Sequence, residues 1–185
     1  MEEKTINILG IPFTTLYQQE ILKQIKEILN CPAQQFFLAT PNPEMLLAAE
    51  KNLSFKKVLQ HSHLNIPDGN GIIWANIFLN FTQNNHSQLI IYCKGLLSYL
   101  YFLFHQKNTR KRFNQAIHGS DLMNYICQDT ELSQHKIFLL GNKYGLQENI
   151  SGLTMVKLKQ INPQINLVGN FDGSPANPIN LEKIN

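Results

Sequence analysis

Asp68 is one of a few residues of this chain whose type and place could serve chemistry. It stands in the string Ile66-Pro67-Asp68-Gly69-Asn70-Gly71, directly after a short apolar run. A carboxylate at the end of a strand can act as a general base on a substrate hydroxyl. The glycines beside it let the chain turn sharply and let a ligand approach the backbone. Asp-Gly is also a common turn pair, so an ordinary turn stands beside the catalytic reading. A second string is Thr40-Pro41-Asn42-Pro43-Glu44. Asn42 suits an N-cap, Pro43 the first helical position and Glu44 the positive end of the dipole. Such a helix end suits a phosphate, with Thr40 adding a hydroxyl and Asn42 an amide. Capping rules alone favour the plainer reading, in which Asn42 caps its helix and Thr40 ends its strand. Gly141-Asn142 follows a third apolar run and suits a passage beside a nucleotide. The spacing Gly141-Asn142-Lys143-Tyr144-Gly145 lacks both the dinucleotide GxGxxG pattern and the phosphate-loop GK[ST] ending, which disfavours NAD enzymes and P-loop NTPases.

The other candidates are weaker. His118 precedes Gly119 at a helix start, as a ligand contact or a capping neighbour. His61 and His63 flank one strand position and can share a face, but no third ligand is near, so a metal site is disfavoured. No GxSxG elbow occurs and no cysteine has an adjacent histidine, which leaves nucleophilic hydrolases without support.

The elements that would position these residues follow from apolar periodicity. Strand-length runs alternate with helical segments, the signature of α/β architecture. Strands are expected at Thr5–Leu9, near Pro12-Phe13, at Gln35–Ala39, His63–Ile66, Lys136–Leu140 and Ile165–Val168. Thr15 with Gln18 reads as a capping box for a helix whose face carries Ile21, Leu22, Ile25, Ile28 and Leu29. The helix after Pro43 is expected to run to about Leu59, with Leu46, Leu47, Phe55, Val58 and Leu59 toward the sheet. Further helices are expected from about Ile72, from Gly119 through about Cys127, and from about Leu146 to Gln160. Strand–helix units in series predict a Rossmann-like, mainly parallel sheet flanked by helices, in one domain spanning 1–185.

At 185 residues and 21.2 kDa the chain can bury a core without staples. With 43% hydrophobic residues and a net charge of +3, it is neither a disordered chain nor, on charge alone, a nucleic-acid binder. Three cysteines, Cys31, Cys93 and Cys127, have no metal spacing and favour a reducing compartment. The region around 84–112 departs from the alternation as an apolar helical insertion. Its Leu89–Phe104 stretch is the most apolar in the chain, and Lys107, Arg110, Lys111 and Arg112 follow it. Such a segment suits either a membrane interface or a buried core helix with a basic end.

Five strings carry a resemblance: Ile8-Leu9-Gly10-Ile11-Pro12-Phe13, Ala39-Thr40-Pro41-Asn42-Pro43-Glu44, Ile66-Pro67-Asp68-Gly69-Asn70-Gly71-Ile72-Ile73-Trp74-Ala75, His118-Gly119-Ser120-Asp121-Leu122 and Phe138-Leu139-Leu140-Gly141-Asn142. In this order they resemble the WecG/TagA/CpsF glycosyltransferases, over nearly the whole chain except Asn80–Asn114. These are the N-acetylmannosaminyltransferases of wall teichoic acid and enterobacterial common antigen assembly. The resemblance implies inverting transfer of N-acetylmannosamine, or a related sugar, from a UDP donor to a polyprenyl-diphosphate-linked N-acetylglucosamine. It implies a cytoplasmic enzyme, peripheral on the inner face of the cell membrane, with no metal and no cofactor; a homo-oligomer is left open. Asp68 takes the place of the family's proposed general base, and Thr40 and Asn42 that of its pocket residues. Gly69, Asn70, Gly71, His118, Asp121, Gly141 and Asn142 fall at substrate-binding positions.

The chain departs from the family pattern in three ways. Ala116 stands where the family usually has an arginine, with Arg110 and Arg112 as substitutes for phosphate or lipid contact. The family normally continues past the Gly169–Gly173 region into a further strand and a membrane-binding appendage. Asn80–Asn114 is longer than the usual linker. The missing tail and Ala116 favour an alternative, a truncated non-catalytic relative that binds a nucleotide sugar or a protein partner, whereas the longer Asn80–Asn114 stretch suits the membrane contact that the tail supplies elsewhere. An unrelated Rossmann-like nucleotide binder is a third reading.

Overall fold

The computed structural model describes residues 5–31, 35–82, 87–105, 117–141 and 150–172. The chain divides into two units, Met1–Gly119 and Ser120–Asn185.

The first unit opens with an antiparallel hairpin of β1 (Thr5–Ile8) and β2 (Ile11–Thr14), in the register Ile6↔Phe13 and Ile8↔Ile11. The expected strand at Thr5–Leu9 therefore stops one residue early, because Leu9 and Gly10 form the turn. Both have positive φ, 53° and 78°, the requirement of the two-residue turn whose twist matches a hairpin. Gly10 N–H donates to Asn7 Oδ1 at 2.8 Å. Ile8, Ile11 and Phe13 are fully buried in the core of this unit.

Helix α1 (Gln18–Leu29) follows. The capping box expected of Thr15 and Gln18 is corrected: the cap is Tyr17, whose N–H donates to Glu20 Oε2 at 2.9 Å. Thr14 Oγ1 instead accepts from Leu16 N–H in the connecting segment. Only Ile21 and Ile25 of the expected face are buried, and Leu29 is exposed.

Strand β3 (Leu38–Ala39) leads into α2 (Pro43–Lys51) and α3 (Leu53–Gln60). One helix to about Leu59 was the expectation; the break lies at Asn52, which leaves helical geometry at φ −129°, ψ 98° and caps α3 by accepting from Phe55 N–H. An Asn whose side chain can bond the backbone competes with helix continuation. The break also rotates the apolar faces: Leu46 and Leu59 are buried, whereas Leu47 and Val58 point outward. Strand β4 (Leu64–Asn65) pairs parallel with β3 in the register Leu38↔Leu64 and Ala39↔Asn65. Buried Asn65 ties it inward, donating through Nδ2 to Pro12 O at 2.9 Å and Leu59 O at 2.8 Å.

Helices α4 (Asn70–Thr82) and α5 (Gln88–Phe104) pack on each other. Trp74 meets Tyr99 edge-on with ring centroids 6.2 Å apart, and Gly95 passes the Phe78 ring. Ile72, Ile73, Ile77 and Phe102 join the core. Yet α5 buries only Ser98 and Phe102, while Leu89, Tyr92, Leu96, Leu97 and Phe104 are exposed. That removes the buried-core alternative for this stretch. No helix of the described residues is long and apolar enough to cross a membrane.

The second unit carries α6 (Gly119–Gln128), which begins on the last residue of the first unit, a short 3-10 turn at Leu132–Gln134, β5 (Ile137–Gly141), α7 (Ile150–Ile161) and β6 (Leu167–Asp172). β5 and β6 pair parallel, with α7 between them in sequence. Cys127, Leu158 and Ile165 form its buried core. Asn162 Nδ2 donates to Cys127 O at 2.8 Å and joins the end of α7 to α6. The architecture is mixed α/β, as the alternation predicts. Among the described residues the strands form three separate pairs, two parallel and one antiparallel.

Candidate active site

Three chain segments of the first unit lie side by side, and each ends at the start of a helix. The parallel pairing of β3 and β4 continues past both strands. Ile66 N–H donates to Ala39 O at 2.9 Å and Asp68 N–H to Pro41 O at 3.1 Å. On the other side, Ile117 N–H donates to Pro67 O at 3.2 Å. Pro41, Pro67 and Ile117 are buried, so the segments are held from below. Pro43 opens α2, Asn70 opens α4 and Gly119 opens α6. The N-terminal turn of a helix presents backbone N–H groups and a positive dipole end, and within the first unit two such turns, those of α2 and α4, start here.

Glycines permit this convergence. Gly69 has φ +85°, a conformation that side-chain-bearing residues resist. A Cβ at Gly71 would stand 2.5 Å from Pro43 Cγ, and one at Gly119 would stand 3.0 Å from Thr40 Oγ1. Glycine at 71 and 119 is therefore what lets the start of α4 and the chain at position 119 pass so close to the Thr40–Pro43 segment.

Asp68 sits in the middle. Its side chain is 26% exposed, and Oδ1 lies 2.6 Å from Nδ1 of His118, which is 61% exposed. Asn42 Oδ1 accepts from Met45 N–H at 2.8 Å, so this residue caps α2 as capping rules predict, and what it can offer a ligand is its Nδ2 donors. Thr40, Asn42, Asp68, Gly69, Asn70, Gly71, His118 and Gly119 thus come together in one region. The pairing of Asp68 with His118 spans 50 residues of sequence, and no local pattern announces it.

The remaining expected site residues stand elsewhere or outside the described residues. Asp121 lies in the first turn of α6 in the second unit. Gly141 ends β5, where a Cβ would stand within 2.4 Å of Asp172 Oδ1. That carboxylate accepts from Ser151 N–H at 2.9 Å, in the first turn of α7. The Gly141 backbone therefore adjoins a helix start that already holds an intramolecular anion. Asn142, Arg110, Arg112 and Ala116 lie outside the described residues. His63 Nδ1 accepts from Phe37 N–H at 3.2 Å, and His61 Nδ1 contacts Lys57 O at 2.7 Å, so both rings serve local structure. A cleft lined by Asn7, Asn76, Leu79, Asn80 and Thr82 opens between β1 and α4 rather than at Asp68; among the described residues its lining carries no titratable side chain, and the chemistry points to Asp68 instead.

This arrangement can do two things. A carboxylate–imidazole pair can take up a proton, and the adjoining helix N-termini can hold an anionic group such as a diphosphate. The sequence model of the Glycosyl transferase WecG/TagA/CpsF family matches residues 6–100, just over half of the chain. The match takes in Thr40, Asn42 and Asp68–Gly71, runs on into α5, and stops before His118. No curated protein matches the chain.

Proposed function

Because the chain belongs to the WecG/TagA/CpsF glycosyltransferase family, whose members act in cell-surface polysaccharide synthesis, we propose that it transfers N-acetylmannosamine or a related sugar from a UDP donor, with inversion, to a polyprenyl-diphosphate-linked N-acetylglucosamine. The observation that carries this reading is Asp68, held beside the starts of α2 and α4 and paired with His118. Deprotonation of the acceptor hydroxyl depends on Asp68. The departing diphosphate gains negative charge, and backbone N–H groups at the helix starts are suited to stabilise it. Thr40 and the Asn42 amide supply short polar contacts to the sugar or the diphosphate.

The lipid acceptor sets the location. An enzyme that uses it works at the inner face of the cell membrane, and the exposed apolar and aromatic residues of α5 are suited to lie in that interface. In sequence, the cluster Lys107, Arg110, Lys111 and Arg112 follows directly and suits anionic headgroups. Ala116, in place of the family's arginine, favours a second reading: a relative that binds a nucleotide sugar without turnover.

The deciding assay is UDP release from UDP-N-acetylmannosamine, with vesicles carrying the polyprenyl-diphosphate acceptor, for the parent chain beside Asp68→Asn. Acceptor-dependent release lost in the variant supports the transferase. UDP binding with no release in the parent leaves the binding module.

A further inference from the structure

We propose that the base of this site is the Asp68–His118 pair, in which His118 Nε2 takes the proton and Asp68 orients and polarises the imidazole. This rests on the transferase reading and assigns the atom that the proton reaches. A carboxylate has only acceptors, so the 2.6 Å contact requires the proton on Nδ1 of His118. In the neutral ring, Nε2 then carries the lone pair. Of the two side chains His118 is the more open, 61% against 26% exposed, so the imidazole is the member that a substrate hydroxyl reaches first.

The pair is also built rather than incidental. Ile117 is anchored by its N–H to Pro67 O, Gly119 is packed against Thr40, and Asp68 is anchored by its N–H to Pro41 O. The backbone is thus held on both sides of His118 and at Asp68 itself, which is the preorganisation a proton transfer needs. A side-chain contact this open to solvent contributes little to a fold, so stability does not account for this one. An imidazole is moreover a better-matched base near neutral pH than a carboxylate.

In the proposed step the acceptor hydroxyl gives its proton to Nε2, and its oxygen forms the bond to the anomeric carbon. The bond from that carbon to the diphosphate oxygen breaks, and its electron pair leaves with UDP. The imidazolium is held by the Asp68 carboxylate until it returns its proton to solvent.

The test compares His118→Ala, His118→Gln and Asp68→Asn in the full chain, by the UDP-release assay. Glutamine can still donate to Asp68 but has no basic lone pair. His118→Ala and His118→Gln are both expected to lower kcat by about 10²- to 10⁴-fold. Added imidazole is expected to restore turnover to His118→Ala in proportion to its concentration. If His118→Gln or His118→Ala turns over within about tenfold of the parent, the pair is not the base, and Asp68 takes the proton directly. A second measurement is independent of activity: ¹⁵N spectra of the labelled histidine rings, assigned with His118→Gln. A neutral His118 protonated at Nδ1 in the parent, and losing that preference in Asp68→Asn, supports the pairing. An Nε2–H ring in the parent overturns the proposal whatever the turnover. A parent that releases no UDP while its spectrum shows the Nδ1–H ring overturns the transferase reading and leaves the pairing standing.

Discussion

Asp68 and the glycines near it answer to different physical demands, and substitution separates them. Asp68→Asn preserves shape and removes charge, so turnover is expected to fall about 10²- to 10⁴-fold with an unchanged melting temperature; equal rates for variant and parent would remove Asp68 from the mechanism. Gly71→Ala does the reverse. The new methyl meets Pro43 at a distance no real contact allows, and relief requires α4 or the first turn of α2 to shift. Stability is expected to drop by about 1–3 kcal/mol in urea denaturation, more than the gain of alanine over glycine in a helix. The cysteines divide by environment. Burial pushes the Cys127 thiol up, whereas Cys31 and Cys93 are exposed. Thiol reagents are expected to modify Cys31 and Cys93 in the native protein and Cys127 only on unfolding, because the thiolate is the reactive form. Labelling of native Cys127 at the same rate would contradict that order.

At the scale of elements, the β1–β2 turn holds a correctable strain. Leu9 adopts φ 53° with an exposed side chain, a conformation that costs an ordinary L-residue roughly 1–2 kcal/mol. Leu9→Asn, matching the Asn-Gly preference of this turn, is expected to raise unfolding stability by about 1 kcal/mol; an unchanged or lowered denaturation midpoint would show that the leucine side chain contributes there. Asn52 shows how one side chain divides a helix. Its carboxamide accepts from Phe55 N–H at 3.1 Å, and Asn52→Ala is expected to cost about 0.5–2 kcal/mol through loss of that cap. Asn65 plays a different part, because its two donated bonds reach β2 and α3 at once. It fixes the height at which β4 ends, and therefore the position of Asp68 three residues on.

For the molecule as a whole, the exposed face of α5 is the feature most in need of a partner. Leu89, Tyr92 and Phe104 are 74%, 75% and 82% exposed, so exchanging them removes little core packing. The triple variant Leu89→Ser, Tyr92→Ser, Phe104→Ser is expected to fold with nearly the parent's melting temperature and to sediment several-fold less with anionic vesicles. Undiminished sedimentation would place the membrane contact elsewhere on the chain. The family match spans residues 6–100 and so takes in most of this helix. The stretch set aside in the sequence comparison as dissimilar, Asn80–Asn114, is therefore inside the matched region for most of α5.

What the sequence by itself determined is what depends on local chemistry. The α/β class follows from the alternation of apolar periods. Asn42 was legible as a cap because a carboxamide before Pro43 suits that position, and Asp68 could be singled out as a candidate because a carboxylate at a strand end beside glycines is able to meet a ligand. The family follows from several weak strings held in order. What only the tertiary structure decided involves residues far apart in the chain. Gly71 is needed because of Pro43, Gly119 because of Thr40, and His118 reaches Asp68 across 50 positions. The antiparallel pairing of the first two strands and the break at Asn52 also escaped the sequence, and the exposure of α5 was one of two readings it left open. In each, periodicity says that residues are apolar or polar, but packing decides which neighbour, if any, covers them. Side-chain types are written along one dimension, whereas proton transfer, steric clearance and burial are set by distances in three.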